Sequence, residues 1–316
     1  MIRNSCLLLL FILTSPLPVL SQALPGTAAT EKPYSVSVDV DLVLFNMTVL
    51  DDKDRLISGL TSHNFRVYED NRAQEIRSFQ ADDVPATVGL VIDNSGSMAS
   101  KRSEVISAAL EFVSLINPHD EIFVVNFNDD VSMPRFAGDV LFTANYDELS
   151  SVLRNERAAG RTALYDAIAA ALRRLEEGKN SRKALVILSD GGDNASAADL
   201  DDIVPLARQS AATLFTVGFY DASDKDRNPK VLRQLSGLTG GELYVPRNGD
   251  EVHDVWRRIA GRIRSQYTIG YVSNNPGRDG VFRNVRIAVV DENGKALKVR
   301  TRAGYVASRG ASEVKP

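Results

Sequence analysis

The sequence predicts an α/β protein: a doubly wound, mostly parallel sheet inserted in, or flanked by, a β-sandwich-like domain built from both arms of the chain. Three observations lead there. Between residues 85 and 266, short apolar runs without alternation are separated by amphipathic stretches of helical period, as expected of parallel strands covered by helices on both faces. Before and after that block, residues 34–84 and 267–308 carry period-two alternation and turn residues. The patterned parts of these arms are only about 47 and 41 residues long, and domains that small usually need disulfides or metals to stand alone. The one cysteine of the 316 residues is Cys6, so no disulfide framework, Cys-ligated zinc or cysteine nucleophile is available.

The chain opens on Arg3 and a mostly apolar run from Cys6 to Leu20, broken by Pro16 and Pro18. That run of 15 residues is short of the roughly 20 needed to span a bilayer. Ser21-Gln22-Ala23 offers a small-x-small cleavage site, so residues 1–23 read as a secretory signal peptide, with an uncleaved anchor as the alternative. Residues 24–33 read as a flexible leader. No later stretch is long enough to span a membrane. The expected location is secreted, or the periplasm or cell envelope.

In the N-terminal β arm, Val36, Val38, Val40, Leu42 and Leu44 alternate with polar residues, and the apolar phase then moves to Val43, Phe45, Met47 and Val49. A change of phase by one residue predicts a bulge or bend. Asp51-Asp52-Lys53-Asp54 reads as a solvated turn rather than a calcium loop, and Glu69-Asp70-Asn71 as a hairpin tip. In the central block, strands are expected at Thr87–Ile92, Ile122–Phe127, Ala184–Leu188 and Leu214–Phe219. Helical stripes run through Val105, Ala108, Ala109, Phe112, Leu115 and Ile116, through Leu164, Ile168, Ala171, Leu172 and Leu175, and through Val252, Val255, Trp256, Ile259 and Ile263. Trp256 reads as core, and Pro205 as the start or kink of a helix. In the C-terminal arm Val285, Ile287 and Val289 alternate, and Asn293-Gly294 predicts a two-residue hairpin. Residues 309–316 read as a disordered tail.

Asp93-Asn94-Ser95-Gly96-Ser97 follows directly on the first core strand, and Asp190-Gly191-Gly192-Asp193-Asn194 follows the strand at Ala184–Leu188. Thr162, after Gly160-Arg161, stands at the start of a helix. Open parallel sheets bind ligands at the carboxyl ends of their strands. Each piece alone is also ordinary turn or helix-cap chemistry; together, in order and at strand ends, they are specific. The donors are all hard oxygens, which suit Mg²⁺ or Mn²⁺ rather than zinc or copper. Two carboxylates and three hydroxyls leave a cation under-neutralised and open at one position.

Asp93-x-Ser95-x-Ser97, then Thr162, then Asp190, resembles the metal-ion-dependent adhesion site of von Willebrand factor type A domains, over roughly residues 86–266. The separations are 65 residues from Ser97 to Thr162 and 28 from Thr162 to Asp190. The resemblance implies that Ser95, Ser97 and Thr162 lie close to the metal, directly or through water, and that Asp93 and Asp190 act mostly through water or from behind. The arms look like those of a set of secreted bacterial proteins carrying this domain, on Gly59-Leu60, Asn64-Phe65, Tyr68-Glu69-Asp70 and Ser78-Phe79 before it and Tyr267-Thr268-Ile269-Gly270-Tyr271 and Arg302-Ala303-Gly304-Tyr305 after it.

Enzyme readings fare poorly. None of His63, His119 and His253 lies in the loops at 93–97, 162 or 190, as a Ser–His–Asp hydrolase would want. No Gly-rich nucleotide loop with a following Lys-Ser/Thr is present. A net charge of −4 does not suit a nucleic-acid binder. From Arg257 onward, 13 Lys/Arg face 4 Asp/Glu, while the rest of the chain holds 24 against 37. The basic C-terminal arm is a solvated face, or else it faces acidic strands such as Asp39 and Asp41 or an anionic envelope polymer. Asp221, Asp224 and Asp226 read as a solvated loop rather than a second cation loop. Asn46-Met47-Thr48 and Asn194-Ala195-Ser196 fit the glycosylation sequon. The expected function is that of an exported adhesion or interaction module, in which a protein partner donates an Asp or Glu carboxylate to bound Mg²⁺. The alternative is an envelope structural or assembly factor in which the metal only holds loops.

Overall fold

A computed structural model describes residues 42–81, 84–220, 227–275, 277 and 279–307. The expected signal peptide, leader and tail, the Val36–Val40 alternation, Asp39, Asp41 and residues 221–226 lie outside the described residues. In chain order the N-terminal arm forms β1 (Leu42–Leu50), β2 (Phe65–Glu69), β3 (Arg72–Gln74) and β4 (Ile76–Gln80). The central block forms β5 (Ala86–Asp93), α1 (Arg102–Ser114), β6 (Glu121–Phe127), β7 (Val131–Ser132), α2 (Tyr146–Asn155) and α3 (Leu164–Glu176). It continues with β8 (Arg182–Ser189), α4 (Leu200–Gln209), β9 (Thr213–Gly218), α5 (Pro229–Leu238), β10 (Leu243–Tyr244) and α6 (Gly249–Arg264). The C-terminal arm forms β11 (Tyr267–Val272), β12 (Phe282–Val289), β13 (Lys298–Arg300) and β14 (Gly304–Val306). None of the described helices is long and apolar enough to cross a membrane.

The central sheet runs β10-β9-β8-β5-β6-β7, parallel except for the edge strand β7. Every residue of β5 is buried, because α1, α2 and α6 cover one face and α3, α4 and α5 the other. Gly89 in β5 has a packing reason: a Cβ there would sit 2.5 Å from Phe123 and 2.6 Å from Leu185, the side chains of the two flanking strands. Trp256 is fully buried, its ring 5.4 Å from Phe112, so it is core. β5 pairs with β6 on one side and β8 on the other, so the winding reverses between β5 and β8. A crevice at such a reversal is where open α/β sheets place ligands.

The arms meet in two antiparallel sheets, β13-β1-β11-β4 and β14-β12-β2-β3. β1 pairs with β11 and β12 with β2, so strands of one arm hydrogen-bond strands of the other. Their shared core joins Phe45, Met47, Val49, Phe65 and Val67 to Tyr267, Ile269, Tyr271, Val285, Ile287 and Val289. Each arm supplies only part of the apolar surface that this core buries.

Several local expectations need correction. From Leu42 onward β1 keeps an unbroken register with β11; the register shift lies instead opposite β11, across Arg77 of β4. Asn293-Gly294 does not form a two-residue turn. The loop holds three residues closed by Asp291–Lys295 main-chain bonding, with Gly294 alone at positive φ (+79°). Pro205 does not start α4 but is its sixth residue, and the helix continues through it. Leu115 and Ile116 pack on the core beyond the end of α1. Helices α2 and α5 went unread; the Asn145 and Asn228 caps and the buried Leu149, Leu153, Val231 and Leu235 were their signals. The tip at Asp70 and Asn71 is as expected, with both residues at positive φ. Part of the basic C-terminal charge meets the acidic turn of the other arm: Lys295 pairs with Asp52 and Lys298 with Asp54.

Candidate metal centre

β5 delivers Asp93 to the carboxyl edge of the sheet, and β8 ends one strand away at Ser189-Asp190. After Asp93 the chain turns at Ser95 into a 3₁₀ turn (Gly96–Lys101) that feeds α1. The turn is tied from inside: Asp93 Oδ1 accepts from the Ser95 N–H at 2.9 Å and Oδ2 from the Ser189 hydroxyl at 2.6 Å. Both oxygens of Asp93 are therefore committed to holding the loop. Asp190 is likewise fixed, with Oδ1 accepting from Gly192 N–H at 2.9 Å and Oδ2 from the Ser97 hydroxyl at 2.6 Å. Ser95 and Ser97 hydroxyls lie 3.1 Å apart. Asp93, Ser95 and Asp190 are buried to about the same degree, at 1% exposure each, while Ser97 is exposed at the rim.

The Thr162 loop joins this cluster through main-chain bonds. Gly96 N–H donates to Gly160 O at 3.0 Å and Ala159 N–H to Asn94 O at 2.8 Å. On its other side Asn194 N–H and Ala195 N–H donate to Thr162 O, and Asn194 Oδ1 accepts from Thr162 N–H at 2.9 Å. Thr162 precedes α3 by two residues and is itself buried. Three loops that are distant in sequence thus form one rim.

Electrostatics set the chemistry. Burial pushes the Asp93 carboxyl up to about 6; the hydrogen bonds from Ser189 and Ser95 pull it down, and the neighbouring Asp190 charge adds to the rise. A cation beside the two aspartates would act in the opposite direction, favouring both charges. The donor set fits a small hard cation: two carboxylates and three hydroxyls, with no sulfur and no imidazole. No group of three or more His, Cys, Asp or Glu that could hold a metal exists among the described residues; the candidate donors here are two carboxylates and three hydroxyls.

Sequence reading missed the residues that hold the donors in place: Ser189, Asn94, Asn194 and the loop at Asn128-Asp129. Asn94, inside the Asp-Asn-Ser-Gly-Ser run, and Ser189 and Asn194, inside the Ser-Asp-Gly-Gly-Asp-Asn run, had a visible signal. Of the two sequons, Asn46 is buried and bonded to Ala211 O and Thr268, so its amide is closed to modification in the folded chain.

The profile of the von Willebrand factor type A domain matches residues 88–257, more than half of the chain. The chain belongs to this family. Members of the family are typically interaction modules rather than enzymes. Among solved structures, a von Willebrand factor type A protein from Catenulispora acidiphila aligns over 85% of this chain and 74% of its own, at 15% identity and TM-score 0.51. Proximal thread matrix protein 1 from the mussel byssus, described with a zinc-occupied metal-ion-dependent adhesion site motif, aligns over 63% of this chain and 50% of its own, at 13% identity and TM-score 0.51. At these identities the likeness is one of fold. No curated protein matches the sequence.

Proposed function

We propose that this von Willebrand A domain holds Mg²⁺ or Mn²⁺ on the hydroxyls of Ser95, Ser97 and Thr162, with Asp93 and Asp190 supporting through hydrogen bonds or water, and that the cation captures a carboxylate of a protein partner. The observation that carries this is the convergence of Ser95, Ser97 and Asp190 within 3.1 and 2.6 Å contacts at the reversal point of the sheet, with Asp93 tied to Ser95 N–H and the Ser189 hydroxyl beside them. The bound metal supplies a positive charge with an open position. The chain's own contribution is rigidity: neutral hydroxyls in front leave that charge under-compensated, which favours an anionic ligand group.

The three loops already hold one another through main-chain bonds, which favours a ligand-binding cation over one that merely staples loops. The apolar run at residues 6–20 supports export to the envelope or beyond. Zinc, reported for the mussel protein, is the competitor to exclude. Calorimetry with Mg²⁺, Mn²⁺ and Zn²⁺, followed by capture of envelope proteins with and without chelator, tests both halves. Mg²⁺ or Mn²⁺ binding and chelator-sensitive capture are expected. Unchanged Mg²⁺ affinity in Ser95→Ala and Asp190→Ala would overturn the assignment.

A further inference from the structure

Beside Thr162 the rim carries a cation held in a fixed orientation. Arg161 is exposed, and its Nε donates to Asp129 Oδ1 at 2.9 Å while its main-chain N–H donates to Asp129 Oδ2 at 3.1 Å. Asp129 comes from the loop after β6, and that loop also receives Ala163 N–H on Asn128 O at 2.8 Å. The clasp is fitted to this chain: Gly160 sits at φ +85°, and a Cβ there would lie 1.8 Å from Asp129 Oδ2. One side of the guanidinium is therefore used by Asp129, whose carboxyl is held well below its usual range chiefly by that side-chain bond. The two terminal nitrogens have no acidic partner among the described residues, and a guanidinium offers paired donors suited to a carboxylate. Thr162 is buried while the adjacent Arg161 is exposed to solvent.

We propose that Arg161, oriented by Asp129, is a specificity-determining contact that reads a second acidic group of the partner next to the carboxylate taken by the metal. The partner is then a protein segment with clustered Asp or Glu, not one with a single exposed carboxylate. This rests on the metal-centred reading above. Arg157 is the natural control, because it is exposed on the same loop and carries the same charge but has no acidic clasp among the described residues.

The probes are two blocked hexapeptides, hexaglutamate and a Gln hexamer with one central Glu, titrated into the full chain in saturating Mg²⁺. The readout is the ratio of the two affinities within each variant, so changes in metal affinity cancel, as does the statistical advantage of six carboxylates when variants are compared. Arg161→Gln is expected to lower the ratio about fivefold relative to wild type, the size of one exposed charge-assisted pair. Arg161→Lys keeps part of it, and Arg157→Gln changes it less than twofold. A ratio unchanged in Arg161→Gln, or lowered equally by Arg157→Gln, overturns the proposal and leaves general charge attraction. If neither peptide binds wild type in a Mg²⁺-dependent way, it is the carboxylate-capture reading itself that fails.

Discussion

The rim of the central sheet and the junction between that sheet and the β-sandwich are both built from buried polar groups, but they spend them differently. At the rim, side chains bond side chains: Ser97 to Asp190, Ser95 beside Ser97, Ser189 to Asp93. The hydroxyls of Ser95 and Ser97 and the Asp190 carboxylate are left in contact with one another. At the junction, cations bond main-chain carbonyls. Arg182, 1% exposed, donates to the carbonyls of Val84, Ile263, Arg264 and Gln266, closing the end of α6 where it runs into β11. Arg302 lies 4.5 Å over the Phe45 ring and donates to Ser210 O at 3.1 Å and Leu44 O at 2.7 Å, and burial lowers its guanidinium to about 10. Inside the sandwich Glu69 accepts from Tyr271, Ser273 and Tyr305 hydroxyls. A polar cluster whose donors end on main-chain carbonyls of separate elements specifies a fixed joint, whereas one whose side-chain oxygens converge is suited to hold something more.

The widest difference is reached by cutting the chain. Residues 85–266 expressed alone should give a folded α/β domain, while residues 34–84 and 267–308 expressed separately should each be unfolded, because their core is shared. A well-dispersed NMR spectrum from either arm would break the comparison at its root. Next comes the joint. Arg182→Leu leaves several carbonyls without a donor and should cost about 3 kcal/mol or more in urea unfolding. A loss below about 1 kcal/mol would show the joint to be replaceable. At the rim, Ser95→Ala and Asp190→Ala should reverse the pattern: Mg²⁺ affinity falls about tenfold or more, while metal-free unfolding shifts by less than about 1 kcal/mol in Ser95→Ala and by less than the Arg182→Leu loss in Asp190→Ala, which strands the Gly192 N–H and the Ser97 hydroxyl. A large stability loss there would make the rim structural, like the joint.

The smallest effect is on pH dependence. The Asp93 carboxyl is raised to about 6 in the folded chain, against an ordinary value of 3.8. A group raised on folding contributes stability that is fully present below its unfolded value and is lost as pH rises through the folded one. In chelator, wild-type stability should therefore decline between about pH 4 and 6 relative to Asp93→Asn, in which that slope is absent. Parallel curves for the two proteins would show that burial of Asp93 carries no such cost. Added Mg²⁺ should flatten the wild-type curve, since a cation favours the charged form.

Much of the rim was legible in sequence because its candidate donors are side chains, although the Thr162 loop is tied to them by main-chain bonds that no residue type marks. Asp93, Ser95, Ser97, Thr162 and Asp190 are residue types that declare their chemistry, and unbroken apolar runs placed them at strand ends. The strands β5, β6, β8 and β9 and the stripes of α1, α3 and α6 were legible for the same reason: burial on two faces, or on one face at helical period, is written in the residues themselves. Helix α2 was not, since its buried face rests on little more than Leu149 and Leu153. The Asn293-Gly294 turn was misjudged because the dipeptide fits two loop lengths, and the pairing of Val290 with Ala296 decided between them.

What the sequence determined by itself was therefore the kind of element at each place and the order of the oxygen donors. Tertiary structure alone decided that the two arms interleave as β1 with β11 and β2 with β12, that Asp129 clasps Arg161, and that Arg182 and Arg302 turn inward as rivets. The physical reason is that these contacts end on carbonyl groups or on residues far away in the chain. Every residue carries the same carbonyl, so no residue type marks which one a buried guanidinium will reach, and only the packed chain brings that one within bonding distance.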